Sequence, residues 1–300
     1  MSARSCVAFV LALGLASSFA ASAAARDGDR DWDYPVRKRE EIQKILKFAD
    51  TAKPGELIVD NVFGPIKVEG YGGRDVVLVA HKTIYARTED KAARALTEVK
   101  LDITEKGRTV DIYVDGPFRD GDRDHGRGER HSWHDPGYEV HYAFEIKVPF
   151  KTDVAVSTVT AGDVEIRTVD GEFDVHNVNG RILMSDVSGS GRAGTVNGKL
   201  TVGFRSLPAG ACSFKTVNGD LAVLLPEGLS ADFRLKTLRG DVYSDFPVAA
   251  LARRPAVREE SKGKFIYKSD RFFGVRAGKG GPEIALDTMN GDILIKKKTA

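Results

Sequence analysis

Residues 168–202 read TVDGEFDVHNVNGRILMSDVSGSGRAGTVNGKLTV, with glycine on every ninth residue at Gly171, Gly180, Gly189 and Gly198. This period constrains the fold more than any other feature, because each unit must form the same small structural element. The unit is a small polar residue, an aliphatic, a variable residue, Gly, and then alternating polar and apolar positions. It recurs as NVFGPIKV, TVDGEFDV, NVNGRILM, TVNGKLTV, TVNGDLAV, TLRGDVYS and TMNGDILI, with DVSGSGRA and TVTAGDVEI as looser copies. Apolar pairs follow the glycines, as in Val164/Ile166, Phe173/Val175, Leu200/Val202, Leu221/Val223 and Ile293/Ile295. A period of two is that of a strand with one buried face. Asn or Asp before Gly predicts a tight corner in which the backbone takes positive φ.

An antiparallel meander of hairpins and a solenoid of stacked coils both accommodate such units. Taking every second unit gives Gly162, Gly180, Gly198, Gly219 and Gly240, at steps of 18, 18, 21 and 21. That is the length of a coil holding two strands, and it favours the solenoid. In this register the residue before glycine is Asn179, Asn197 and Asn218, then Arg239, with Asn290 following an insertion at about 247–282. The alternate register holds Asp170 and Ser188. Asparagines confined to one register predict a stacked amide ladder along one edge. Beside it, Asp163, Arg181, Lys199 and Asp220 form a row of mostly alternating charge. The expected fold is therefore all-β, a β-solenoid like a parallel β-helix, built of short strands with Asn-Gly corners.

The N-terminal part is more irregular. YEVHYAFEIKVPF alternates from Tyr138 to Val148 and stops at Pro149. ELIVDNVFGPIKVEGYGGRDVVLVAHKTIYA reads as three strands with turns at Phe63-Gly64 and Gly72-Gly73. TEDKAARALTEV, with Ala92, Ala95, Leu96 and Val99 at helical spacing, predicts one short helix. REEIQKILKF suits a helix through Ile42, Ile45 and Leu46, or a strand through Ile42, Lys44, Leu46 and Phe48.

MSARSCVAFVLALGLASSFAASAAARD has the order of a secretory signal: Arg4, a short apolar core, and small residues ending near Ala25. The apolar run is shorter than the roughly 20 residues a membrane span needs. The expected organisation is a signal peptide at 1–25, a flexible polar N-terminus at 26–39, and one β-solenoid domain at 40–298. That domain carries a mobile charged loop at 116–137 and the insertion. Localisation is expected to be periplasmic or secreted. Cleavage would leave Cys212 as the sole cysteine, so no internal disulfide is available and stability must come from a core. Lys and Arg number 45 against 43 Asp and Glu, a net charge of +2, without the basic excess of a nucleic-acid binder.

Catalytic signatures of the G-x-S-x-G, H-E-x-x-H, P-loop and C-x-x-C kinds do not occur. The loop GPFRDGDRDHGRGERHSWHDPG holds His125, His131 and His134 among carboxylates, the candidate metal ligands, but at spacings that match no rigid site. Asp after Gly resembles calcium-binding nonapeptide repeats, yet their further glycines are missing. The pairs Asp163/Glu165 and Glu172/Asp174 have the residue types of glycoside chemistry, though outward carboxylates on strands ordinarily serve solubility. Cys212 reads as a small buried residue, and Tyr243 as a lone outward ring. The final lysines would blunt a terminal strand edge.

LIVDNVFGPIKVEGYGG, YEVHYAFEIKVP leading into VAVSTVTAGDVEI, the TVNG units and PEIALDTMNGDILIKK together resemble the bacterial putative-adhesin family of unknown function, over roughly residues 40–298. The resemblance implies a secreted β-solenoid of the cell envelope without established catalytic residues, so no functional residue is carried over from it. The histidine-rich loop departs from the family pattern. The function expected is a non-enzymatic envelope binding module, adhesin-like or associated with envelope stress, without a cofactor. It would offer an extended polar strand face to an envelope protein or a surface glycan. The alternatives are a polysaccharide-acting enzyme on a β-helix scaffold, and metal binding through His125, His131 and His134.

Overall fold

The alternation of apolar and polar residues is realised as an all-β architecture of two large mixed sheets with the core between them. The computed structural model describes residues 34–50, 52–119, 135–252, 257–261, 264–268 and 271–298. The expected signal segment at 1–25 and the loop histidines lie outside the described residues.

The N-terminal part consists of β1 (Val36–Leu46), β2 (Gly55–Asp60), β3 (Ile66–Tyr71), β4 (Val76–Ala86), helix α1 (Glu89–Glu98), β5 (Lys100–Lys106), β6 (Thr109–Asp115) and β7 (Tyr138–Pro149). REEIQKILKF is thus strand, not helix: β1 pairs antiparallel along the whole of β4, so sheet pairing overrides its helical propensity. The strand begins at Val36, ahead of the domain start expected at residue 40. Thr88 caps α1, its side chain accepting from the Lys91 N–H, and Ala92 and Ala95 are buried while Leu96 is exposed.

The repeats form β8 (Thr152–Thr158), β9 (Val164–Arg167), β10 (Phe173–Asn177), β11 (Ile182–Val187), β12 (Gly191–Gly194), β13 (Leu200–Phe204), β14 (Cys212–Lys215) and β15 (Leu221–Leu225). After them come β16 (Ala231–Lys236), β17 (Val242–Ser244), β18 (Val248–Leu251), the hairpin β19 (Val257–Ser261) and β20 (Lys264–Lys268), and β21 (Phe273–Ala277). The chain closes with β22 (Glu283–Asp287) and β23 (Ile293–Lys297).

From β8 to β17 successive strands alternate between the sheets, and in each sheet β8 to β14 and β9 to β15 pair in parallel with the strand one turn away. Register stacks like on like. Ile66, Val164, Ile182, Leu200, Leu221 and Ile293 are mutual Cα partners in file, and all are buried. Each such side chain contributes about 1.5–3 kcal/mol by leaving water.

The order of turns departs from the order of the chain. In one sheet β22 lies between β14 and β16, and in the other β23 lies between β15 and β17. Asn290 therefore stands between Asn218 and Arg239, not beyond them as chain order suggests. The last strand is interior, which corrects the expectation that its lysines blunt an edge: Lys298 pairs with Asp186, and the Lys297 ammonium lies 5.8 Å from the centre of the Phe246 ring. The insertion is partly strand, with β21 antiparallel between β16 and β18.

Candidate functional site

The corner joining the even-numbered strand of each turn to the odd-numbered one carries the Thr-aliphatic-Asn-Gly unit, and each of its four residues does a separate job. Glycine is demanded by the neighbouring turn. A Cβ on Gly180 would lie 2.1 Å from the Gly162 carbonyl oxygen, and one on Gly198 2.1 Å from that of Gly180. Neither residue has positive φ, so close approach of backbones selects glycine there, while Gly219, Gly240 and Gly291 combine the same close approach with the expected positive φ, at 151°, 151° and 153°.

Threonine points inward and satisfies the glycine carbonyl of the next turn. The hydroxyls of Thr158, Thr195, Thr216, Thr288 and Thr237 donate to the carbonyls of Gly64, Gly180, Gly198, Gly219 and Gly291 at 2.9–3.1 Å. In the NVNG unit the Asn177 amide donates to the Gly162 carbonyl at 2.9 Å. These polar groups sit at the margin of the core, where an unpaired carbonyl would be costly.

Asn179, Asn197 and Asn218 are brought together in file. The Asn197 amide donates to Asn179 Oδ1 at 2.8 Å, that of Asn218 to Asn197 Oδ1 at 2.7 Å, and that of Asn290 to Asn218 Oδ1 at 2.7 Å. Beside them stands a file of aliphatics to which the sequence reading gave no role. The N–H groups of Asn179, Asn197, Asn218, Asn290 and Arg239 donate to the carbonyls of Val159, Val178, Val196, Val217 and Met289. That stacks the aliphatics one above another, ending at Leu238. Val159 is 39% exposed, Val196 38%, Met289 43% and Leu238 69%. At ~4.8 Å per turn, this is an apolar stripe flanked by a hydrogen-bonded amide stripe. The signal was visible in the sequence as an unvarying aliphatic before the ladder position.

The aspartates after glycine are structural. Asp163 Oδ1 accepts the Arg181 N–H at 2.9 Å, Asp220 Oδ1 that of Asp292 at 3.2 Å, and Asp292 Oδ1 that of Asp241 at 2.9 Å. Of the strand-face carboxylates, Asp163, Glu165 and Asp174 are engaged by arginines. Arg181 Nε lies 2.8 Å from Asp163, Arg167 pairs with Glu165, and Arg192 forks onto both oxygens of Asp174 at 2.8 and 2.7 Å. The bond from Arg192 holds the Asp174 carboxyl below the ordinary carboxylate range, opposite to what a general acid needs. Cys212 is buried, and burial pushes its thiol up, away from nucleophilic use. Tyr243 is 53% exposed on the short edge strand β17. His125, His131 and His134 lie outside the described residues, and no cluster of three metal-ligating side chains occurs among the described residues.

A groove of about 550 Å³ lies on the opposite edge, where Phe48, Lys53, Arg74 and Lys151 converge from three loops. None of the three cations has a carboxylate partner among the described residues. No helix among the described residues is long and apolar enough to cross a membrane.

No family model and no curated protein matches the chain. Among solved structures it is similar to a putative cell adhesion protein from Clostridium sporogenes, at 14% identity, with a TM-score of 0.43 and coverage of 87% of this chain and 100% of the other. It is also similar to a putative adhesin from Parabacteroides merdae, at 11% identity, with a TM-score of 0.23 and coverage of 87% and 97%.

Proposed function

We propose that this protein is a non-enzymatic, adhesin-like binding module of the cell envelope. It is a β-solenoid of the putative-adhesin kind, periplasmic or secreted after cleavage near Ala25, and it needs no cofactor. Its binding element is the Thr-aliphatic-Asn-Gly edge, which meets an extended segment of an envelope protein. The observation that carries this reading is the registered pair of stripes. Hydrogen bonds hold the amides of Asn179, Asn197, Asn218 and Asn290 at a repeat set by the backbone, and the exposed aliphatics beside them supply apolar contact. A pre-ordered surface loses little conformational entropy on binding, so small contacts per turn accumulate. The engagement of Asp163, Glu165 and Asp174 with arginines supports a binding role over acid–base chemistry.

The test compares the protein with a Val159→Asp, Val196→Asp, Leu238→Asp variant for adsorption to envelope proteins displayed on a surface. The variant is expected to lose adsorption at an unchanged melting temperature. Equal adsorption by both would remove the edge as the binding element.

A second reading rests on the groove, whose three cations, without a carboxylate partner among the described residues, outnumber its one acid Asp50 and, beside the Phe48 ring, suit an anionic sugar. Arg74→Glu with Lys151→Glu is then expected to abolish retention on an acidic polysaccharide column in low salt. Retention unchanged by the charge reversal would exclude this site.

A further inference from the structure

The C-terminal turn fills a gap left open by residues that precede it in the chain. β15 is followed by β16 through residues 226–230, yet the two turns they belong to are not adjacent: β22 and β23 lie between them. The insert is bonded on both flanks. β22 pairs in parallel with β14 and β16, and β23 with β15 and β17. Ile284, Leu286, Ile293 and Ile295 are buried in the slot, the Thr288 hydroxyl reaches the Gly219 carbonyl, and Asn290 continues the amide ladder. All of this is made by residues 283–297, which the chain supplies last.

What attaches the insert to its own molecule is slight. The link from β21 is Gly278-Lys279-Gly280-Gly281-Pro282, which passes over the start of β16, with the Lys279 N–H donating to Ser230 Oγ at 3.1 Å. Gly278 and Gly280 have φ of 61° and 80°, so the link turns sharply back to bring β22 into the slot of the same chain. Straightened, five residues reach about 17 Å. Every contact that holds the insert would be the same if the insert came from a second copy, and on its N-terminal side only this link would change. An element whose contacts are equivalent within and between chains is the condition for exchange between protomers.

We propose that the slot between the β14–β15 and β16–β17 turns accepts the β22–β23 turn of a second copy, so that two chains are joined by exchange of their C-terminal turns. The partner is another copy because the TMNGDILI segment of a second chain brings Thr288, Asn290, Gly291 and the inward aliphatics into the same register with the slot. The choice between internal and exchanged forms is one of effective concentration across the link, so crowding of copies at an envelope surface favours exchange. The inference is independent of what the outer edge binds.

The test uses two full-length chains, each with Cys6→Ser and Cys212→Ala, one carrying Asn218→Cys and the other Asn290→Cys. These positions are bridge partners in the ladder, at a spacing a disulfide spans. The chains are refolded together at high concentration, oxidised, and run on a non-reducing gel. A mixed cross-linked pair is expected in excess over either chain refolded alone. It is expected to be absent when the chains are mixed after folding, and lost when Ile293→Asp is added to the Asn290→Cys chain. A mixed pair no more abundant than the single-chain controls would overturn the proposal. So would light scattering on the unsubstituted protein that finds only monomer after refolding at every concentration.

Discussion

At the scale of the residue, the demand for glycine is steric and comes from the next turn. Gly198→Ala drives a methyl to 2.1 Å from a backbone carbonyl, and we expect it to cost about 3 kcal/mol or more. Gly107→Ala meets nothing within 4 Å at φ 59°, and the left-handed conformation alone should cost about 1–2 kcal/mol. Urea titration of both variants checks the order. If they lost equal stability, the close-approach account would be wrong. Thr216→Val leaves the Gly198 carbonyl without its hydroxyl donor, for an expected loss of about 1–3 kcal/mol. The periodic glycine was plain in the sequence, but its reason was not: the obstructing atom belongs to a residue 18 positions away that becomes a neighbour only on stacking.

At the scale of the element, α1 was readable from the helical spacing of Ala92, Ala95, Leu96 and Val99, while β1 was not, because pairing with β4 decides it. The end of α1 is tied down by the Tyr138 hydroxyl, which donates to Glu98, with Arg94 on the same carboxylate. These bonds, that from Tyr138 foremost, hold the Glu98 carboxyl below its ordinary value of 4.5. A depressed folded value means that the unfolded chain binds the proton more readily. The stabilisation is therefore present above about pH 4.5 and is lost as pH falls through the lower folded value. Tyr138→Phe should reduce this acid-side loss, which melting temperatures recorded between neutral and acid pH would reveal. An unchanged acid limb in the variant would show that the contact contributes nothing. The C-terminal lysines teach the same lesson in reverse: a basic tail reads as edge protection, yet β23 has strands on both sides.

At the scale of the whole molecule, the body is a set of registered files. Because β23 is interior, Ile293→Ala should cost as much as Leu200→Ala in the middle of the repeats, about 2–5 kcal/mol each. Val242→Ala on the edge strand β17, only partly buried, should cost clearly less. Chemical denaturation of the three variants tests the order of turns directly, since a terminal β23 would make Ile293 the cheap site. The sequence by itself determined the strand period, the turn length, the file of Asn179, Asn197 and Asn218 and the inward face of each strand. All of these follow from local alternation and from a repeat that any stacking must respect. The tertiary structure alone decided that the last turn enters between two earlier ones, that Val159, Val196, Met289 and Leu238 in the aliphatic file are left exposed, and that Asp220, Asp292 and Asp241 follow one another beside it. Identical units pair equally well in several orders, so a repeat specifies how turns fit while the long connections specify which turns meet.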